Sequence, residues 1–314
     1  MSTRPGSKIV GVGSALPDNV VTNADFEKRL DTSDTWITER TGIRERRMGG
    51  TTSELAIEAG IGAIKAAGLS PSDIDFLILS TTTPDQTVPA TSAVVSDRIG
   101  IAGGAMDINA ACAGFVYAMV VANSLIVTGQ RRVLVIGSDT LSKITDQNDR
   151  STAILFADGA GAVVMEATPD SSLLGWDLGI DGSAQPILYC DYGGYMQMEG
   201  REVYKRAVRA MVDSAKKAME MANVTPEDIS LVVPHQANIR IIEAANQRLG
   251  IDMAKAAIVL DTTGNTSSGS VPLALHEAVK RGMVESGQLV LFSGFGAGMT
   301  WASAVVRWEA DSRV

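Results

Sequence analysis

The feature that most restricts what this chain can fold into is that it repeats itself. From Glu54 through Ala67 and Gly68, small and apolar residues recur at helical spacing; Ser70-Pro-Ser-Asp-Ile74 supplies a turn, and Phe76 to Leu79 an apolar run. The same order returns roughly 155 residues later. Tyr204 to Met221 reads as an amphipathic helix, Thr225-Pro-Glu-Asp-Ile229 repeats the turn, and Leu231 to Val233 repeats the strand. Met106 to Asn109 corresponds to Leu260 to Thr263, and Gly129-Gln130 before Val133 to Ile136 corresponds to Gly287-Gln288 before Leu289 to Phe292. Two units that alternate strands with helices predict an α/β protein: two parallel sheets sandwiched by helices and packed face to face. The boundary falls near residue 170, giving halves 1–170 and 171–314. Matching strand ends, Ser80 with His235 and the Cys112 loop with the Asn265 loop, then face a shared interface, where small-molecule clefts tend to form.

Composition removes several function classes. The 314 residues are 45% hydrophobic and 20% charged, as suits a compact soluble protein. A net charge of −9 argues against a nucleic-acid partner or an anionic membrane, both of which need clustered positive surface. Met1 to Pro17 has no basic stretch leading into an apolar run, so no secretory signal is expected and the location is predicted to be cytoplasmic. Ala110 to Val127 is the most apolar stretch, but Gly114, Asn123 and Ser124 interrupt it, which predicts a buried helix rather than a membrane span. Two cysteines, Cys112 and Cys190, do not make a disulfide framework, and His235 and His276 have no zinc spacing, so no metal is expected. The cysteine chemistry left to this chain is nucleophilic.

Asn109-Ala-Ala-Cys112-Ala-Gly-Phe115 leads from a predicted strand, Ala105 to Ile108, into the apolar helix. A thiol there meets unpaired backbone amides and the positive end of the helix dipole, which favour thiolate. The small neighbours admit a substrate carbonyl, and the Cys112 amide can donate to a developing oxyanion. The bland alternative is a small buried hydrophobe. His235, in Pro-His-Gln-Ala-Asn238, ends the strand Leu231 to Val233, a position that catalytic groups favour in α/β sheets. His276, on a helix Pro272 to Arg281, reads as structural. Gly264-Asn-Thr-Ser-Ser-Gly269 follows an apolar strand, Ala257 to Leu260, and either forms a turn or lines a cleft. Gly11-Val-Gly13 imitates a dinucleotide fingerprint, but Leu16 stands where a third glycine or alanine is needed, so nicotinamide binding is rejected. Asp158 to Ala162 and Gly294 to Gly298 read as tight turns or close backbone contacts.

Together, Cys112 in Ala-Ala-Cys-Ala-Gly-Phe, His235 in Pro-His-Gln-Ala-Asn and Asn265 in Gly-Asn-Thr-Ser resemble the Cys-His-Asn triad of the β-ketoacyl–acyl carrier protein synthase III family. Trp36, Arg40-Thr-Gly-Ile43, Asp149-Arg150, Phe156-Ala-Asp-Gly-Ala-Gly and Gly294-Phe-Gly-Ala-Gly-Met-Thr-Trp301 extend the resemblance over essentially the whole chain. Thiolases would have a second cysteine at the third site, chain-elongating synthases a second histidine; Asn265 selects this branch. The resemblance implies thiolase-like duplicated halves in a five-layered αβαβα sandwich. It implies that Cys112 takes an acyl group from acyl-CoA, the oxyanion being held by the Cys112 and Ala297 amides. His235 and Asn265 then assist decarboxylative condensation with malonyl–acyl carrier protein, with no cofactor beyond the coenzyme A thioester substrate.

The resemblance further places Trp36 against adenine with Arg40, Thr41 and Arg150 near the nucleotide, and Gly200, Tyr204, Ala207 and Asn238 along a pantetheine tunnel. Arg240, with Lys205 and Arg248, would receive the carrier protein. Family members dimerise, and Val88 would then enter the partner's acyl pocket, where its small size suggests room for branched or longer primers. Tyr204 stands where many relatives carry phenylalanine, and Ser151 and Ala297 replace common glycines. An acyltransferase of the same fold, a condensing enzyme of secondary metabolism and a non-catalytic acyl-CoA or carrier-protein binding module remain as alternatives.

Overall fold

A computed structural model describes residues 5–309 and 313–314. Met1 to Arg4, the start of the stretch read as lacking a secretory signal, lie outside the described residues. One sheet has five strands in the order Gly6–Ala15, Asp158–Thr168, Arg132–Thr140, Phe76–Ser80, Gly104–Ile108. The other has four, Leu173–Ile180, Thr300–Arg307, Leu289–Gly296, Ile229–Pro234, in the corresponding order. The chain crosses from one sheet to the other between Thr168 and Leu173.

Period-two alternation along the strands builds the layers. Ile78, Val133, Val135, Val163, Leu231, Val233, Val290 and Phe292 point into one central core shared by both sheets, together with Phe115 and Met119 of the helix Gly114–Val127 and Val271 and Leu275 of the helix Ser270–Lys280. The intervening residues point outward. Leu77, Leu79, Leu134 and Ile136 pack under the helix Thr52–Ala66, while Val232 and Leu291 pack under the amphipathic helices Gly200–Ala222 and Ile239–Leu249. The result is the five-layered αβαβα sandwich of the thiolase fold. Both copies of the repeated turn close the same way: Asp73 accepts from Ser70 N at 2.8 Å, and Asp228 from Thr225 N at 2.8 Å.

Two expectations are corrected. The sheets are mixed rather than parallel: strands joined through helices run parallel, but Arg132–Thr140 pairs antiparallel with Asp158–Thr168, and Leu289–Gly296 with Thr300–Arg307. No crossover helix lies between Leu289–Gly296 and Thr300–Arg307, and parallel pairing needs one. Ala257 to Leu260 is not a strand. It touches the sheet at Ala256 and through Ala257 N to Val232 O, after which the buried Gln236 side chain takes over, accepting from Val259 N (3.1 Å) and Leu260 N (3.2 Å) and donating to Ala257 O (3.0 Å). Asp158 to Ala162 is strand, and of the two readings offered for it close backbone contact holds, since a Cβ on Gly161 would sit 2.8 Å from Leu273 N; Gly11 and Gly13 also lie inside a strand. A side chain at Gly11 or Gly13 would put its Cβ 2.2 Å from a carbonyl of the helix Thr52–Ala66, so these glycines serve close packing.

Sequence patterning gave no hint of one excursion. The helices Asn23–Glu27 and Asp34–Thr41 fold over the edge of the first half around the fully buried Arg46, whose guanidinium donates to Asn23 Oδ1 (2.6 Å) and Ile154 O (2.9 Å) and lies over the Phe26 ring. Burial pulls that guanidinium down to about 9. The excursion carries Trp36 and Arg40.

Candidate active site

The strand Gly104–Ile108 ends at a sharp turn in which Ala111 adopts φ = +47°, a left-handed conformation rare for a residue with a Cβ. A 3-10 turn, Ala111–Ala113, then runs into the helix Gly114–Val127, which leaves Cys112 at the helix N-terminus. The end of the strand Leu289–Gly296 presses against this turn so closely that a Cβ on Gly296 would sit 2.5 Å from Cys112 N. The sulfur donates to Ser267 Oγ at 3.4 Å, and Ser267 itself has φ = +51°. Cys112 keeps an accessible face on a cavity, yet the protein surrounding its sulfur pushes the thiol up to about 12. Burial is the main cause, the Asp139 carboxylate adds to it, and the Ser267 hydroxyl opposes it. Desolvation thus outweighs the thiolate-favouring helix terminus.

His235 leaves the strand Ile229–Pro234 with its N–H donating to Ser293 O at 2.8 Å. Its ring is edge-on to Phe295 at 5.4 Å, and Nδ1 lies 2.6 Å from Ser270 Oγ. Burial pulls the imidazole down to about 3, so it is neutral across the physiological range. Asn265 reaches the same cavity from the loop that follows the short helix Leu260–Thr263. Its backbone is pinned by Asn265 N to Leu155 O (2.9 Å) and Ala157 N to Asn265 O (2.9 Å), and its Oδ1 accepts from Ser267 N at 2.9 Å. With the oxygen so engaged, the amide nitrogen is left to donate.

Behind these groups lies Asp139, which sequence reasoning missed. Fully buried, it accepts at Oδ1 from Thr81, Thr82 and Thr83 and at Oδ2 from Ser268 N (3.0 Å) and Ser268 Oγ (2.6 Å), so it ties a loop of the first half to the Asn265 loop of the second. Its only signal was a carboxylate closing an apolar strand in Gly137-Ser-Asp-Thr140. Cys112, His235 and Asn265 line a single cavity of about 950 Å³ between the halves, along with Ala297.

The family model for 3-oxoacyl-[acyl-carrier-protein] synthase III matches residues 106–182, and the model of its C-terminal part matches residues 219–308. The chain is 47% identical to β-ketoacyl-[acyl-carrier-protein] synthase III 1 of Bacillus anthracis over 306 residues, covering 96% of this chain and 98% of that protein. The chain belongs to the β-ketoacyl-[acyl-carrier-protein] synthase III family. It is accordingly an acyl-transferring condensing enzyme. The crystal structure of the synthase III from Aquifex aeolicus superposes with a TM-score of 0.95 at 45% identity, covering 96% of this chain and all of that one. The priming β-ketosynthase of the R1128 polyketide pathway superposes with a TM-score of 0.93 at 34% identity, covering 98% of each chain.

In this synthase III the remaining sequence candidates divide into two groups. Gly200, Tyr204 and Asn238 line the cavity; Asn238 also caps the helix Ile239–Leu249 and donates to Arg40 O at 2.9 Å. Trp36, Arg40 and Arg150 form a cluster apart from the cavity lining, with the two guanidiniums 5.0 and 4.8 Å from the Trp36 ring. Thr41 and Ala207 do not reach the cavity. The Thr41 hydroxyl is buried and donates to Ile37 O at 2.7 Å, closing its own helix, and Ala207 packs into the core beneath the second sheet. Val88 is 81% exposed and lies outside the cavity lining. Arg240 is exposed with its guanidinium 5.8 Å from the Tyr204 ring, Lys205 pairs with Glu202 at 2.7 Å, and Arg248 sits in the last turn of the helix that Asn238 begins.

Proposed function

We propose that this synthase starts fatty acid chains in two stages at one cavity. In the first, Cys112 attacks an acyl-CoA thioester. The tetrahedral oxyanion is held by the Cys112 and Ala297 amides, and coenzyme A leaves as its thiol, so that the proton lost from Cys112 is balanced on the departing sulfur. In the second, malonyl–acyl carrier protein replaces coenzyme A. His235 and Asn265 donate to its thioester carbonyl and stabilise the enolate as the carboxylate departs as carbon dioxide. The carbanion attacks the acyl-cysteine, and the Cys112 sulfur is released as thiolate and reprotonated. A neutral imidazole and an amide whose oxygen is already occupied are the right kind of groups for this work, because both can donate without carrying charge into the site.

The observation that carries this reading is the convergence of thiol, imidazole and carboxamide on one cavity. Intact-protein mass spectrometry after incubation with acyl-CoA tests it. The expected result is one acyl adduct, mapping to Cys112 and absent in Cys112→Ala; no adduct would reduce the chain to a binder.

Finer assignments belong to the same proposal. The Trp36, Arg40 and Arg150 cluster offers an aromatic face and two cations to the adenine nucleotide of coenzyme A, with the pantetheine running past Asn238, Tyr204 and Gly200. Arg240, exposed beside Tyr204, is the best placed of the three basic candidates for an acidic carrier protein. The strand Gly104–Ile108 is a sheet edge, which supports pairing with a second copy in a homodimer, and exposed Val88 would then reach the partner's acyl pocket. No helix among the described residues is long and apolar enough to cross a membrane, and we place the enzyme in the cytoplasm. No cofactor beyond the coenzyme A substrate enters the scheme. We divide the chain into the halves 1–170, which would supply the nucleophile, and 171–314, which would supply the two donors, a division supported by the passage from one sheet to the other between Thr168 and Leu173.

A further inference from the structure

His235 can donate to a substrate carbonyl only through Nε2, and only in the tautomer that carries its proton there. Nothing in the strand or in the Phe295 contact chooses between the tautomers. The choice is made at the other ring nitrogen, where Ser270 Oγ lies 2.6 Å from Nδ1. Ser270 opens the helix Ser270–Lys280 and is completely buried. Its oxygen also accepts the backbone N–H of Gln236 at 3.4 Å, and among the described residues these two groups are its hydrogen-bond partners.

The hydrogen-bond bookkeeping is asymmetric. If Nδ1 carried the proton, Ser270 Oγ would receive two donors, from the ring and from Gln236, and its own O–H would be left buried with no acceptor. If Nε2 carries the proton, Ser270 accepts from Gln236 and donates to Nδ1, and every group is satisfied. The Nε2–H then faces the cavity, where no side chain among the described residues engages it. We propose that Ser270 is a positioning residue that fixes His235 as the Nε2–H tautomer and so presets it as a hydrogen-bond donor to the malonyl thioester. The inference rests on the reading of His235 as that donor, but its structural content can be measured without turnover.

The chain contains only two histidines, so protein labelled with ¹⁵N-histidine shows two imidazoles, and a His276→Asn sample assigns them. In the wild-type enzyme at neutral pH, His235 is expected to show a protonated Nε2 and an unprotonated, hydrogen-bonded Nδ1. In Ser270→Ala that pattern is expected to give way to a mixture or to Nδ1–H, and carbon dioxide release from malonyl–acyl carrier protein should fall about 10- to 100-fold, as when the partner that orients a working imidazole is lost. Acyl loading of Cys112 should fall much less. A protonated Nδ1 in the wild-type enzyme would overturn the proposal without any variant, should Ser270→Ala not fold. So would an unchanged tautomer and an unchanged decarboxylation rate in a folded Ser270→Ala. Failure of the condensation reading shows itself separately, as the absence of an acyl adduct on wild-type Cys112.

Discussion

At the scale of single residues the site works by placing polar groups where water is scarce and occupying the acceptor oxygens of Asn265 and Asp139 with protein donors. Asn265 has its oxygen occupied by Ser267 N, which leaves its amide nitrogen to donate, and Asp139 accepts from protein donors on both of its oxygens. His235 illustrates the cost. Its imidazole titrates near 3 in the fold, below the ordinary value of 6.5, because burial disfavours the cation. The unfolded chain therefore binds a proton that the folded one refuses between these two values, and stability conferred by the neutral ring is complete above pH 6.5 and drains away as pH falls toward 3. His235→Asn, which cannot take up that proton, should lose less thermal stability than the wild-type enzyme between pH 7 and pH 4.5. Parallel loss in both proteins, followed by calorimetry, would mean that the ring is not buried as described. The three residues of the proposed triad could be picked out together because each sits in a short motif that resembles the family's, although the Asn265 loop read alone was either a turn or a cleft lining. Asp139 and Ser270 could not be, because a buried aspartate and a helix-opening serine acquire meaning only through partners far away in sequence.

At the scale of elements, the duplication was readable from spacing alone: the Ser70 and Thr225 turns, the helices before them and the strands after them recur in fixed order. Where the copies diverge, the pattern failed. Ala257 to Leu260 has the apolarity of a strand, but the Gln236 side chain, one residue past His235, captures its backbone instead. A side-chain amide substituting for a ladder leaves no periodicity to detect. Gln236 also donates to Pro234 O at 2.7 Å, so it serves four backbone groups and holds the strand end that presents His235. Gln236→Ala should therefore destabilise the protein by about 3 kcal/mol or more, since each buried backbone group left unpaired costs roughly 1–3 kcal/mol. Urea titration measures this; a loss under about 1 kcal/mol, ordinary for a surface change, would contradict the role given to that amide. The excursion around Arg46 escaped sequence reasoning for a related reason: its short helices carry little apolar stripe and are organised by one buried cation.

At the scale of the whole molecule, the halves divide the chemistry. In the proposed scheme the first supplies the nucleophile, Cys112 at a helix N-terminus, and the second supplies both donors, His235 from the end of a strand and Asn265 from a loop, while the Asp139 carboxylate links Thr81 to Thr83 of the first with Ser268 of the second. That scheme separates acyl loading from decarboxylation, because it assigns different groups to each while the cavity stays the same. The direct test compares the two steps in His235→Ala and Asn265→Ala, with acyl loading of Cys112 read by intact mass and carbon dioxide release read from malonyl–acyl carrier protein. Both variants should still load the acyl group, while carbon dioxide release should drop on the order of 100-fold, the usual cost of removing one oxyanion donor. Equal loss of both steps, or undiminished carbon dioxide release, would contradict the claim that these side chains share one cavity and divide one reaction between them.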